Sequence, residues 1–532
     1  MTGRGRTRRE VLGLAGGAAA LLAGGCGGTR ERTGELVRSA GPLPEPFTTP
    51  LPVPRVLEPL RRTADADVHE VVQRVVRVGI VPGRSTEVFG YGGTFPGPTI
   101  VSERGRATLV THVNELPVPT VAHLHGGHTP ADSDGFPTDL LLPAGAAAPP
   151  AGAGHGGAHH EDPQHGGPRR ASTAGDLAAG RREHTYPMQQ RAATLWYHDH
   201  RMDFTGPAVH RGLFGLHLVR DEEEARLGLP SGAREVPLLI ADRSFAEDGS
   251  FRYPALDPTM LATPGVQPEF SEGVLGDVVL VNGAAWPVLD VDAARYRFRV
   301  LNASNARRYD LRLSPPPPSG PRFVQVGSDG GLLARPVELG SVRLAPGERF
   351  DVVVDFARYP VGTEVDLVNG LGDGGSAQVL RFRVVRRARD DSTVPARLSE
   401  VEVLAESAAV RTREFRFSRG GPGQPHWVLG GRPYDPARVD ADPVLGQVER
   451  WRLRSDVHHP VHVHLDPFQV VRRGSRRRGP WDGGWKDTVD VRPGEVVEVL
   501  VRFTDHAGRF VLHCHNLEHE DMMMMANFQT RA

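Results

Sequence analysis

The chain has 532 residues, too many for one hydrophobic core, so about three domains plus tails are expected. Lys plus Arg (63) and Asp plus Glu (64) cancel to a net charge of −1, so no overall basic field favours a nucleic acid or an anionic membrane as partner. Apolar residues make up 39%, enough for packed cores, while 63 Gly and 46 Pro point to many turns between short strands; all-β domains are the natural reading.

At the N-terminus, Thr7-Arg8-Arg9-Glu10-Val11-Leu12 resembles a twin-arginine export signal, and a weakly apolar run follows from Val11 to Gly25. That run is shorter than the roughly 20 residues of a bilayer span. Residues 1–26 are therefore expected to be an export leader and the product to be extracytoplasmic, secreted or attached to the cell envelope. Leu22-Ala23-Gly24-Gly25-Cys26 resembles a lipoprotein cleavage site, with Ala23 where Leu is more usual. Cys26 is either a lipid anchor, the one expected tie to a membrane, or a spectator in a discarded peptide. The only other cysteine is Cys514, so the exported body has no disulfide framework and this thiol is free to bind metal.

After a Pro-rich lead to about Pro54, the stretch from Val68 to Asn114 alternates apolar and polar residues around Gly and Pro turns and reads as several strands. His123 and His125 follow on a strand end or loop. Leu195 to Tyr197 supplies the strand before His198 and His200, and Gly212 to Val219 closes a first domain, residues 55–222. Within it, residues 143–183 are rich in Ala, Gly, Pro and His, a composition that cannot bury a core and reads as a mobile surface loop. Its His155, His159, His160 and His165 read as flexible spacer rather than as a metal-loading tract. A weak repeat sets the other boundaries. Pro346-Gly347-Glu348-Arg349-Phe350 recurs as Pro493-Gly494-Glu495-Val496-Val497, and Arg297 to Leu301 recurs as Arg450 to Arg454, offsets of 147 and 153. Two nearly equal offsets indicate one duplicated domain, which places a middle domain at 223–390 and a third at 398–532. Where the later copy runs into His459-Pro460-Val461-His462, the earlier reads Ala306-Arg307-Arg308-Tyr309. The middle domain is thus expected to hold no metal and to space the first against the third.

Metal ligands are concentrated in pairs. Four His-x-His pairs occur (123/125, 198/200, 462/464, 513/515), where independent placement of 23 histidines would give about one. Any single pair is more often a solvated strand face. The last pair flanks Cys514 and precedes His519 and Met524, and a thiolate with imidazoles and a weak thioether is the ligand set of a blue-copper electron-transfer site. In a strand, Cys514 would face one way while His513 and His515 face the other, so the cysteine's own peptide bonds would join two different metal sites.

The strings His123-Leu124-His125-Gly126, Trp196-Tyr197-His198-Asp199-His200, His459-Pro460-Val461-His462-Val463-His464 and His513-Cys514-His515-Asn516-Leu517-Glu518-His519-Glu520-Asp521-Met522-Met523 resemble the four copper motifs of the multicopper oxidases. The likeness is greatest to bacterial laccases of the spore-coat type, with bilirubin oxidase and phenoxazinone synthase as relatives, since Phe95 to Ile100 and Thr129 to Gly135 fit as well. The resemblance implies an all-β fold of three consecutive cupredoxin-like Greek-key domains and four copper ions. Type 1 copper would be held by His459, Cys514, His519 and Met524, type 2 by His123 and His462, and the type 3 pair by His125, His198, His200, His464, His513 and His515. The neighbouring methionines of the 522–525 run share the chemistry of Met524, and spacing selects the latter. Asp134 and Glu520 are the implied proton carriers, with Asp132 and Asp521 as competitors. An exposed edge of His519 is the implied site where electrons come in. The implied reaction takes single electrons from phenols or aromatic amines and passes four to O2, and the protein is expected to act as a monomer. A cuprous or ferrous oxidase is the alternative, weakened by an insertion that lacks Met in a chain of only eight. A non-enzymatic copper-handling envelope protein, a simple cupredoxin carrier and a copper nitrite reductase are further alternatives. The last two leave most of the paired histidines unexplained.

Overall fold

A computed structural model describes residues 33–146 and 175–532. The expected leader with Cys26, and His155, His159, His160 and His165 of the insertion, lie outside the described residues.

Three β-sandwiches follow one another along the chain, as the resemblance implied. In the first, a five-stranded sheet (Arg61–Arg62, Ala66–Val78, Thr86–Tyr91, Ala107–Asn114, Arg181–Tyr186) faces a four-stranded one ordered Gly97–Glu103, Phe214–Arg220, Ala193–Asp199, Ala122–His125. The middle domain pairs a seven-stranded with a five-stranded sheet. The third pairs a six-stranded sheet with a four-stranded one ordered Thr488–Val491, His459–Val463, Gly508–Cys514, Met525–Thr530.

The alternation that makes a half-buried strand is plain in Val448–Ser455, where Trp451 and Leu453 are fully buried and Arg450, Arg452 and Arg454 point outward. The duplication survives in the hydrogen-bond register. Arg297 faces Val353 in the middle domain as Arg450 faces Leu500 in the third, and these are the positions related by offsets of 153 and 147.

The strands that carry histidines behave differently. Ala193–Asp199 and His459–Val463 are buried at every position, because one face packs inside its own sandwich and the other against a neighbouring domain. A shared apolar cluster joins Trp196, Phe214 and Leu216 of the first domain, Leu239 and Leu301 of the middle one, and Leu517 of the third. Burying each such side chain contributes about 1.5–3 kcal/mol, so the three domains set as one body around the histidines.

One expectation needs correction. The insertion does not extend to residue 183 as a loop: Leu177–Ala179 lies parallel to Leu140–Leu142, and Arg181–Tyr186 pairs antiparallel with Ala107–Asn114. His184 and Tyr186 enter the core from that strand, whose partner Ala107–Asn114 is distant in the chain. The Pro-rich lead is tied to the middle domain. Glu35–Leu36 adds parallel to Val274–Leu275, and Pro50 bridges to Val288 on the middle domain.

Candidate metal centre

Two strand pairs meet face to face. In the first domain His123 lies opposite His198 and His125 opposite Trp196; in the third His462 lies opposite His513 and Val461 opposite Cys514. Packing the two pairs together brings His123 onto His464 (ring centroids 3.9 Å) and His125 onto His462 (3.6 Å). His200, His464 and His513 converge as one group, and His123 with His462 and His464 as another, each offering ring nitrogens within 4.8 Å of one another. His515 closes the far side, its ring 5.0 Å from that of His125 and 5.4 Å from that of His198. All eight imidazoles are buried.

These residues suit metal ions on the chemistry of their nitrogens. A ligating imidazole gives its other N–H to the protein, which fixes tautomer and ring angle. His123 Nδ1 donates to the Asp134 carbonyl (2.6 Å), His198 Nδ1 to the Asp199 carbonyl (2.7 Å) and His462 Nδ1 to the Asp487 carbonyl (2.9 Å). Their Nε2 atoms, with both nitrogens of His515 and Nδ1 of His125, are buried without any hydrogen-bond partner. Polar atoms so placed are rare unless something binds them. Burial also holds His123, His125, His198, His464 and His515 well below the usual imidazole pKa, in the neutral form that a cation requires.

Cys514 turns the other way. Its Sγ lies 3.4 Å from His459 Nδ1 and 3.6 Å from His519 Nδ1, and the two Nδ1 atoms are 3.0 Å apart. The remaining nitrogens are tied off, His459 Nε2 toward Asp456 Oδ1 (3.2 Å) and His519 Nε2 to the Glu272 carbonyl (3.1 Å). Burial pushes the Cys514 thiol well above its usual pKa, so a cation would have to displace its proton. Met524 is fully buried in the same core as Cys514, whereas Met523 and Met525 pack with Phe136 and Tyr434 in a separate cluster. Met522, partly buried, also packs against the core that holds Cys514 and Met524.

Both expected acids sit against the histidines. Asp134 Oδ2 is 2.7 Å from His464 Nδ1, and burial raises its carboxyl well above the ordinary value. Glu520 places Oε2 3.1 Å from His513 Nδ1 and Oε1 3.7 Å from His200 Nδ1. The competitors point elsewhere. Asp132 is exposed, and Asp521 accepts the backbone N–H groups of Thr205 and Gly206 at the start of helix Thr205–Arg211.

One expectation about electron access is overturned. His519 is only 1% exposed, covered by the Trp427 ring at 3.8 Å and by the Glu272 carbonyl, so no open imidazole edge faces solvent. Sequence reasoning also missed Asp487 and Thr488, which contact His125 Nε2 at 3.1 and 3.0 Å; no local pattern marks Trp427, Glu272, Asp487 or Thr488. A cavity of about 470 Å³ opens where the three domains meet, lined by His128, Gln190, Val463 and Trp485, with Asp487 in its wall.

The profile of the multicopper oxidase family matches residues 75–147 and 407–532. The chain is 35% identical to a laccase of Bacillus subtilis, over 90% of this chain and 98% of that one, and 31% identical to bilirubin oxidase of Albifimbria verrucaria, over 94% and 84%. Among solved structures, a multi-copper oxidase from Pediococcus acidilactici superimposes with a TM-score of 0.76 at 29% identity, covering 93% of each chain.

Proposed function

This chain belongs to the multicopper oxidase family, and we propose that it is a laccase-like enzyme that takes single electrons from phenols or aromatic amines and reduces O2 to water. The observation that carries the reading is the divergence at one strand end. Cys514 turns toward His459 and His519, while its neighbours His513 and His515 turn into the eight-histidine cluster. A thiolate in that position has a path of a few covalent bonds into the cluster.

Copper when bound supplies one-electron redox chemistry and the binding of O2. On this reading His459, Cys514, His519 and Met524 hold the type 1 ion, His123 and His462 the type 2 ion, and His125, His198, His200, His464, His513 and His515 the type 3 pair, four ions in all. Reducing O2 to two waters consumes four protons with the four electrons, and the chain's own acids deliver them. Asp134, a carboxyl whose buried site favours its protonated form, accepts the Nδ1–H of His464 on one side of the cluster. Glu520 stands between His200 and His513 on the other, placed to take protons up and pass them on. Export by the twin-arginine leader, with the protein free or lipid-anchored through Cys26, completes the proposal.

Oxygen uptake with a phenolic donor, measured alongside copper content, tests it. The copper-loaded chain consumes O2 in proportion to phenol oxidised, and Cys514→Ser loses the blue colour and nearly all turnover while folding normally. No O2 uptake by a fully loaded chain would instead favour copper handling without catalysis.

A further inference from the structure

We propose that Arg349, from the domain without histidine ligands, is a positioning residue for the copper cluster, acting through Asp487 on His125 and His462. The inference rests on the copper reading above and adds a role for the middle domain beyond spacing.

Arg349 is fully buried, and its donors reach all three domains. Nε donates to the carbonyl of Thr194, on the first-domain strand that carries His198 (2.9 Å). Nη1 donates to the Gly347 carbonyl (3.0 Å) and to Asp487 Oδ1 (2.6 Å), and Nη2 to the Asp329 carbonyl (3.2 Å) and to Asp487 Oδ2. All five N–H groups are used, and the two that meet Asp487 form a bidentate fork that a lysine cannot reproduce.

Asp487 passes the constraint on. Its Oδ1 accepts from Thr488 Oγ1 (2.9 Å) and lies 3.1 Å from His125 Nε2, and its backbone carbonyl accepts from His462 Nδ1. With the His125 proton held at Nε2, the lone pair sits on Nδ1, the buried atom that has no hydrogen-bond partner. The ion pair thereby sets which nitrogen of His125 faces the metal. The turn before Arg349 presses on the same rings: a Cβ on Gly347 (φ +85°) would come within 3.0 Å of His515 and 3.2 Å of His125. In the third domain's copy of this turn the matching residue is Val496, so the arginine distinguishes the middle copy.

The test uses the full chain loaded with copper and three variants, Arg349→Gln, Arg349→Lys and Thr488→Val, with Arg299→Gln as a control. Arg299 is another buried middle-domain arginine that reaches the first domain, at Thr194 Oγ1 (3.2 Å), and its ion pairs involve no cluster histidine. Copper affinity is read by chelator competition, and coordination by the EPR spectrum of the non-blue copper. Arg349→Gln and Thr488→Val are expected to lose about 10–100-fold in affinity, the usual effect of removing an outer-shell partner, with an altered spectrum. Arg349→Lys keeps the buried charge, so it folds even where the glutamine variant does not, and shows a smaller shift of the same kind. Arg299→Gln lowers thermal stability and leaves affinity and spectrum unchanged. Wild-type affinity and spectrum in both Arg349→Lys and Thr488→Val would overturn the inference while leaving the oxidase reading intact. A wild-type chain that takes up no copper would overturn both.

Discussion

The imidazoles of His125 and His462, from the first and third domains, lie face to face with centroids 3.6 Å apart and planes within 13°. Neutral rings brought this close, each with a buried nitrogen left unpartnered, gain little from each other and much from the separate cations that each would hold. On the ligand assignment above the type 2 and type 3 sites would each take residues from both domains, so there binding metal and docking the domains would be a single event.

Removing copper is accordingly expected to lower the melting temperature and to loosen the contact between the first and third domains. A ligand that binds only the folded state stabilises it by about 4 kcal/mol at a thousandfold excess over its Kd. Calorimetry of chelated and reloaded protein checks the size of the effect, and limited proteolysis checks where it acts.

Met524→Leu should raise the reduction potential of the blue site by removing a weak donor to the oxidised ion. Met523→Leu and Met525→Leu should leave it unchanged, since those side chains pack with Phe136 and Tyr434. A redox titration of the blue absorption band distinguishes these methionines, and an unshifted potential in Met524→Leu would refute its axial role.

Asp134→Asn and Glu520→Gln should each slow turnover by about 10²-fold, the lower end of what a positioned proton carrier contributes. The blue colour should persist in both, because neither carboxyl touches Cys514, His459 or His519. Anaerobic reduction followed by mixing with O2 should then show normal electron uptake and slow reoxidation.

Stability should fall on the acid side for a reason separate from copper. Burial depresses the pKa of His184 to about 4 and that of His217 to about 3. In the unfolded chain both take up protons below about pH 6.5, while in the fold they stay neutral, so stability is complete above that pH and drains away as pH drops toward 4 and 3. The loss is on the order of 1 kcal/mol per pH unit for each group. Melting curves of wild type and His184→Gln between pH 4 and 7.5 should show a shallower pH dependence in the variant.

The candidate ligands are legible in the chain itself because their signals are local. Alternation along a strand is enough to send Cys514 one way and His513 and His515 the other, and paired histidines are conspicuous at a spacing of two. The repeat relating Arg297 to Arg450 and Arg349 to Val496 is equally visible, since duplicated strands keep their length and register. Composition misleads at residues 177–179, where Ala conceals a short strand paired with Leu140–Leu142, and the next strand, Arg181–Tyr186, finds its partner Ala107–Asn114 far away in the chain.

What no local pattern conveys is the role of residues that act only across interfaces. Trp427 and Glu272 cover His519, Asp487 braces His125 and His462, and Arg349 reaches all three domains. In sequence these are an ordinary tryptophan, two unremarked acids and one arginine among many. A metal ligand is recognised by its donor atom and the periodicity of its own strand, whereas a brace is defined by what packs against it, and that packing exists only once three sandwiches close on one another.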